Sequence, residues 1–423
     1  MGKRASATWA LASLLVPFLA ASCGLPGAAN EHERQVLVDY HFDQYAAVFD
    51  AYFPKEVSVH PGDTVVFKQS WSGEPHTVTF GTAVDDVYNV LWKFIKDGPP
   101  YPEKPPDDPS VAPALTKLSS LPQAQSQTSN AFGQQGAQPC YVESGPLPDP
   151  GDKRCPNRTL KPFTGKQLFY NSGIIPYQGD QGNTYRLPIA ADAAPGTHYY
   201  TCLIHGVLMS GVVTIAPASQ AIPSQADVNS AAQKQLSKSS DPFAKVFKEA
   251  QGNVAKNGNL AGVATPPGIA GSVTEFVPRT IKTKVHQKVT WRIVGDAHTV
   301  SFNVPKYLPE ITVGKDGAVQ YTDQVINAVG GPGFPAPPAP DSSSAPASGG
   351  PPGGGANSGP PPPSPPVHVD AGDYDGRHFL SSGLGGPMGT DDVVTYSVTF
   401  TKAGSYKYAC LVHPLMVGVV DVQ

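Results

Sequence analysis

The 423-residue sequence predicts an all-β chain built as two tandem β-sandwiches. Its 43 glycines and 46 prolines, against 15% charged residues, suit short strands punctuated by turns rather than helical bundles. Short stretches of alternating polarity recur between turn signals. The chain also repeats itself, with matching segments in the same order in both halves, which implies a duplicated domain.

The repeat has three parts. The run Tyr200-Thr201-Cys202-Leu203-Ile204-His205, continuing through Met209 to Ile215, matches Tyr408-Ala409-Cys410-Leu411-Val412-His413, continuing through Met416 to Val422, apart from a one-residue gap before Met. Upstream, Glu74-Pro75-His76-Thr77-Val78-Thr79-Phe80 matches Asp296-Ala297-His298-Thr299-Val300-Ser301-Phe302. A third echo sets Phe169–Gly173 against Phe379–Gly383. Around them the elements read as strands. Glu56–His60 alternates, Pro61-Gly62-Asp63 turns the chain, and Thr64–Phe67 resumes. Val285–Trp291 takes that part in the second half without the turn. Thr197–Thr201 and Ser405–Ala409 lead into the two cysteines, and the β-branched runs Val212–Ile215 and Val419–Val422 close the domains.

These elements place one domain at residues 35–217 and a second at 261–423, joined by an Ala-, Gln- and Lys-rich linker at 218–260 with a weak helical pattern. The first domain carries an insertion, 82–165, in which Val87–Ile95 reads as a short helix. The second carries a Gly-, Pro-, Ala- and Ser-rich loop, 330–367, whose composition buries no core and reads as disordered.

Residues 1–22 read as an export signal: a basic start at Lys3-Arg4, an uncharged apolar run and small residues before Cys23. The run is shorter than the ~20 residues a spanning helix needs. Cys23 directly after small residues resembles a bacterial lipobox, which leaves lipid anchoring at Cys23, plain cleavage or an uncleaved anchor. The expected location is the extracellular face of the membrane or the periplasm. Cleavage takes the net charge from -4 to -6, and with no basic block nucleic acid is not an expected partner. An oxidising compartment favours disulfides. Cys140 and Cys155 are the natural pair, worth about 3 kcal/mol for a loop of that size. Cys202 and Cys410 are then left over, one per half and each in the same motif.

That motif is metal chemistry. A redox copper site must suit both Cu(I) and Cu(II): thiolate favours Cu(I), imidazole suits both, and a weak axial thioether tunes the couple. Cys202, His205 and Met209 are spaced three and four apart, and Cys410, His413 and Met416 three and three. A tight loop between two strands brings each trio to one end of a sandwich, and the matched His76 and His298 supply the remaining ligand from another strand. The arrangement resembles the plastocyanin, pseudoazurin and amicyanin family of blue copper proteins, the cupredoxins. The resemblance covers the strand before each first histidine and the last ~35 residues of each half, and does not extend to the insertions. The second loop has amicyanin-type spacing; the first has one extra residue. The resemblance implies cupredoxin-like Greek-key sandwiches, two coppers per chain and electron transfer to a redox protein partner. It also implies that His205 and His413 lie at the surface as electron ports, within an apolar rim of Gly206, Val207 and Leu208 in one domain and Pro414 and Leu415 in the other.

The remaining histidines, His32, His41, His60, His198, His286, His368 and His378, have no counterpart in the other half and read as surface or structural. The hydroxyls of Thr77 and Thr299, next to the first histidines, read equally as donors to the site or as strand packing. Met388, in a turn, is not an expected ligand. A two-domain copper oxidase or nitrite reductase is the enzymatic alternative. An oxidase needs paired His-x-His motifs and a cysteine flanked by histidines, and nitrite reduction needs a His-Cys pair; the sequence has none of these. A binuclear copper centre would need two cysteines in one loop. Copper storage or delivery would favour open Met- or His-rich sites, in which this chain is poor. The expectation is therefore a carrier and not an enzyme.

Overall fold

The computed structural model describes residues 31–40, 45–69, 74–98, 101, 108–120, 161–173, 175, 184–266, 268–304, 311–313, 319–321, 367–386, 393–413 and 415–423. The export signal, Cys23, His41, the Cys140–Cys155 pairing, Met388 and, but for Val367, the loop 330–367 lie outside the described residues.

The chain is all-β in its two main bodies. The first sandwich has a sheet of Tyr52–Phe53, Glu33–Val38, Thr64–Gln69 and Thr184–Pro188, in that spatial order. It faces a sheet of Glu56–Val59, Gly206–Ile215, Gly196–Cys202, Thr79–Phe80 and Tyr170–Asn171. The second sandwich repeats the plan. One sheet runs Val367–Tyr374, Val393–Phe400, Lys288–Ile293, Asn259–Val263 and Ser272–Val277; the other runs Thr280–Thr283, Val417–Val422, Gly404–Ala409, Ser301–Phe302 and Leu380–Ser381. The duplication extends to pairing sense. Glu33–Val38 lies parallel to Thr64–Gln69 as Asn259–Val263 lies parallel to Lys288–Ile293. Glu56–Val59 runs parallel to the closing strand of the first half as Thr280–Thr283 does to that of the second.

Alternation does the folding work. Glu33–Val38 and Lys288–Ile293 each bury every second residue, so one face of each strand meets the opposite sheet. Val36, Val65 and Phe67 pack with Val57, Val213 and Ile215 in one core. Trp291, Tyr396 and Phe400 pack with Phe302, Tyr408 and Val420 in the other. Each fully buried side chain of this kind contributes about 1.5–3 kcal/mol.

Helices fill the connections. Helix α1 (Thr82–Ile95) is longer than the short helix expected at Val87–Ile95. It lays Tyr88 and Trp92 on Tyr199, with ring centroids 5.8 and 5.4 Å apart. Helix α2 (Val111–Ser119) packs beside it, with Lys117 Nζ 2.5 Å from Asp86. Helix α3 (Gln225–Gly252) occupies the stretch expected as a linker. It starts in a capping box: the Ser224 hydroxyl accepts from Asp227 N at 3.3 Å and the Asp227 carboxylate accepts from Ser224 N at 2.9 Å. Its buried face (Val228, Ala232, Leu236, Phe243, Val246 and Ala250) recurs every three to seven residues. Val228 packs into the first core, while Tyr45, Phe49 and Phe53 of the first half and Leu260, Val263 and Val273 of the second close over the rest of that face. The segment 218–260 is therefore the middle of a third core that holds the sandwiches together. Helix α4 (Val254–Asn257) completes the connection. In addition, Ala47–Val48 leaves the first half and pairs antiparallel with Ser272–Val277, as a sixth strand of the second half's sheet.

Candidate metal centres

Each centre is assembled from two β-elements. His76 is pinned by an isolated bridge to Ile175, through bonds of 2.9 and 2.7 Å, and His298 by the same bridge to Gly385, through bonds of 2.8 and 2.9 Å. Cys202 ends a strand, His205 sits in the turn that follows, and Met209 lies on the return strand. The pairing register shifts between Gly206 and Ser210, and this bulge absorbs the extra residue of the first loop. In the second loop, Cys410 N donates to Met416 O at 2.9 Å and Met416 N to His413 O at 3.1 Å, which closes the shorter turn.

The geometry matches between halves. His76 Nδ1 and His205 Nδ1 are 3.0 Å apart, and Cys202 Sγ is 3.6 Å from His205 Nδ1. His298 Nδ1 and His413 Nδ1 are 3.1 Å apart, and Cys410 Sγ is 3.6 Å from His413 Nδ1. Within each trio all donor atoms lie within 4.8 Å of one another. An ion about 2 Å from nitrogen and 2.3 Å from sulfur holds such ligands about 3–3.6 Å apart. Met209 and Met416 are fully buried, each in the same apolar cluster as its cysteine.

The shell around the cysteines repeats as well. Thr77 N donates to Cys202 Sγ at 3.3 Å and Thr299 N to Cys410 Sγ at 3.4 Å. The threonine hydroxyls accept from the next residue of each cysteine loop, Leu203 N at 2.9 Å and Leu411 N at 2.8 Å. They brace the loop and do not touch the sulfur. The third echo has its reason here: the hydroxyls of Ser172 and Ser382 accept from Val78 N and Val300 N and donate to Gly173 O and Gly383 O. That clamps the strand after each first histidine.

Electrostatics favour thiolate. Burial alone would push the Cys202 and Cys410 thiols up. The adjacent imidazoles, His205 and His76 in one site and His298 and His413 in the other, reverse this and hold both well below the usual thiol range. Thiolate is the form that ligates metal. Both cysteines are free and buried, and the donor set fits a soft, redox-active ion.

The two centres differ at their first histidine. His76 Nε2 lies 3.2 Å from Asp39 Oδ2. His298 Nε2 is buried with no partner. It lies against Gly262, where a Cβ would stand 2.2 Å from Nε2 and 2.1 Å from Val294 O, and where φ is +86°. Only glycine leaves room for that ring. Gly262→Ala is expected to lower metal affinity at the second site roughly tenfold while sparing the first. Copper titration of the variant checks this, and equal losses at both sites would contradict it.

The cysteine-loop histidines do not lie at the surface as expected. His413 is 0% exposed and the His205 side chain 17%. Their Nε2 edges turn toward the junction of the sandwiches, where Glu74 Oε1 is 3.0 Å from His413 Nε2 and Glu74 Oε2 is 3.8 Å from His205 Nε2. Burial alone would raise the Glu74 carboxyl, but both histidines hold it far below its ordinary value. Asp50, 3.9 Å from His205 Nε2, is pushed up to about 7 by burial, against the pull of His205 and His76. Asp296 and Glu74 lie within the same 4.8 Å group as His413. The apolar rim is divided. Val207 and Leu208 pack into the cluster around α1, whereas Leu415 is 42% exposed.

Of the other histidines, His32 pairs with Asp63, His198 with Asp85, and His368 with the Thr395 hydroxyl; His60 reaches Gln220 O. Sequence reasoning did not single out Asp39, Asp50, Glu74, Asp296 or Gly262. One signal was present: an acid stands two residues before each first histidine, Glu74 before His76 and Asp296 before His298.

No family profile matches the chain, and no curated protein matches it. Among solved structures, a dithionite-reduced auracyanin from Roseiflexus castenholzii is similar at 17% identity and TM-score 0.21, over 45% of this chain and 100% of that one. Auracyanin A, a "blue" copper protein from Chloroflexus aurantiacus, is similar at 14% identity and TM-score 0.21, over 44% and 98%. A Cu(I) structure of an amicyanin mutant is similar at 16% identity and TM-score 0.16, over 36% and 74%. At such scores the likeness carries no argument, and the geometry itself is what counts: an all-β chain with two His–Cys–His groups, buried but for the half-buried His205, that could each hold a metal ion.

Proposed function

We propose that this chain is an exported copper protein that carries electrons through two type 1 centres, one held by His76, Cys202, His205 and Met209, the other by His298, Cys410, His413 and Met416. One observation carries the reading: two trios of two imidazole nitrogens and one sulfur, each within 4.8 Å and buried but for the half-buried His205, recur in matched surroundings. Copper bound there supplies a one-electron couple. The protein's part is to hold the ligands still. The His76 and His298 bridges, the Thr77 and Thr299 braces and the Ser172 and Ser382 clamps fix the donors in place before and after an electron moves. The N–H groups of Thr77 and Thr299 spread charge from the sulfurs. The burial of every proposed ligand but His205 favours a carrier over an oxidase and over storage or delivery by ready exchange. The partner in this reading is a redox protein at the cell exterior or in the periplasm, with Cys23 as a lipid anchor.

Visible and EPR spectra of the copper-loaded chain, beside Cys202→Ser and Cys410→Ser, test it. The expected result is an intense blue thiolate band with two coppers per chain, partly lost in each variant. A colourless protein that takes up no copper would refute the reading.

A further inference from the structure

The two centres present the same edge to each other. In each, His Nδ1 faces the sulfur, which leaves Nε2 of His205 and of His413 pointing into the domain junction. Asp50 lies near one ring and Asp296 near the other, and Glu74 reaches both. Glu74 offers one carboxylate oxygen to His413 Nε2 at 3.0 Å and the other to His205 Nε2 at 3.8 Å. The first is a hydrogen bond; the second is a charge contact that a small rotation or one water converts into a bond. The carboxylate is largely buried, with 12% of its side-chain surface exposed. In such a setting hydrogen bonds are stronger than in water.

The junction that holds this contact is built not to slip. Ala47–Val48 is a strand of the partner sheet. Ala46 N donates to Glu275 Oε1 at 2.8 Å, and Tyr101 N to Gly268 O at 2.8 Å. Helix α3 fills the angle between the bodies.

We propose that Glu74 joins the two centres into one internal electron relay, bridging the imidazoles of His205 and His413. The proposal rests on the copper reading above. One electron leaves the reduced centre, which is thereby oxidised, and enters the other, which is reduced. No covalent bond forms or breaks, and the Nε2 protons stay on their imidazoles, that of His413 donated to Glu74 Oε1 and that of His205 facing Glu74 Oε2. A one-electron reductant, protein or small molecule, fills the pair from outside. The Asp39 carboxylate beside His76 makes that imidazole the better donor to an oxidised ion, so the electron's resting place is the second centre.

The test uses the full chain with copper at both sites, compared with Glu74→Leu and Glu74→Gln. A pulse-injected electron is followed through the blue bands. The expected result is a phase whose rate is independent of protein concentration, slowed roughly tenfold or more in Glu74→Leu and less in Glu74→Gln, which keeps one acceptor oxygen. In the diamagnetic Cu(I) protein, proton NMR is expected to show two slowly exchanging imidazole N–H signals, assigned to His205 and His413, both lost in Glu74→Leu. Two blue bands with no concentration-independent phase, or an unchanged rate in Glu74→Leu with both coppers retained, would overturn the relay and leave the copper reading standing. Absence of any blue band in the parent chain would sink both, and the copper reading first.

Discussion

Replacing Asp39 by alanine is expected to weaken metal binding at the first centre by about 10- to 100-fold and to leave the second centre loaded. Three interactions end at this one carboxylate. Oδ2 lies 3.2 Å from His76 Nε2, while Oδ1 accepts from Phe49 N at 2.7 Å and Tyr40 N at 2.5 Å. Asp39 is fully buried, so its removal takes an acceptor away from a buried imidazole and from two backbone N–H groups. Its φ of 60° adds to the loss, because Asp and Asn tolerate the left-handed region better than alanine. Asp39→Asn separates the effects. It keeps shape and backbone but withdraws the charge that makes His76 a strong donor, so the first centre is expected to stay loaded while its midpoint potential rises toward that of the second. Copper content after dialysis and redox titration read these outcomes. Equal copper loss from both centres, or none from either, would contradict a role confined to His76.

The second large effect is expected from Phe243→Ala on stability. Phe243 is 1% exposed, stacks 4.8 Å from Phe49 of the first half and lies against Gly271 of the second. Truncating a buried phenylalanine typically costs about 3–5 kcal/mol, the transfer energy plus the cavity left behind. The denaturant midpoint of the full chain is expected to fall accordingly. The blue bands should survive, since Cys202 and Met209 and Cys410 and Met416 lie in the sandwiches' own cores. A negligible shift would mean that the third core does not bind the halves.

Much of the fold and the grouping of histidine with cysteine were legible in the sequence, for a local reason. The cysteine and one histidine of each group sit in one loop, and strand alternation on each side of it is visible within a few residues. The duplication turned isolated signals into paired ones. What escaped was non-local. Asp39 reaches His76 across 37 positions and Glu74 reaches His413 across 339, and nothing in a linear pattern marks such meetings. Helix α3 escaped for another reason. Its buried face relies on Ala232, Ser239, Ser240 and Ala250 as well as Leu236 and Phe243, so its apolar stripe is pale, and Pro242 inside it reads as a breaker. Burial by two domains at once outweighs the hydrogen bond that proline forfeits. The surface ports differ from expectation because Glu74, distant in sequence from both loops, stands against His413 and near His205.

The strand Ala47–Val48 gives the molecule a topology that differs from its ancestry. By sequence the unit of duplication ends within the first half, yet that half donates a strand across the boundary. A gene segment and a folding unit no longer coincide. Residues 261–423 made alone would leave Ser272–Val277 as a bare sheet edge, the kind that recruits a strand from another molecule. Such a fragment would find a substitute in its own copies. The tie between the halves also makes the second sandwich's sheet depend on a strand from the first.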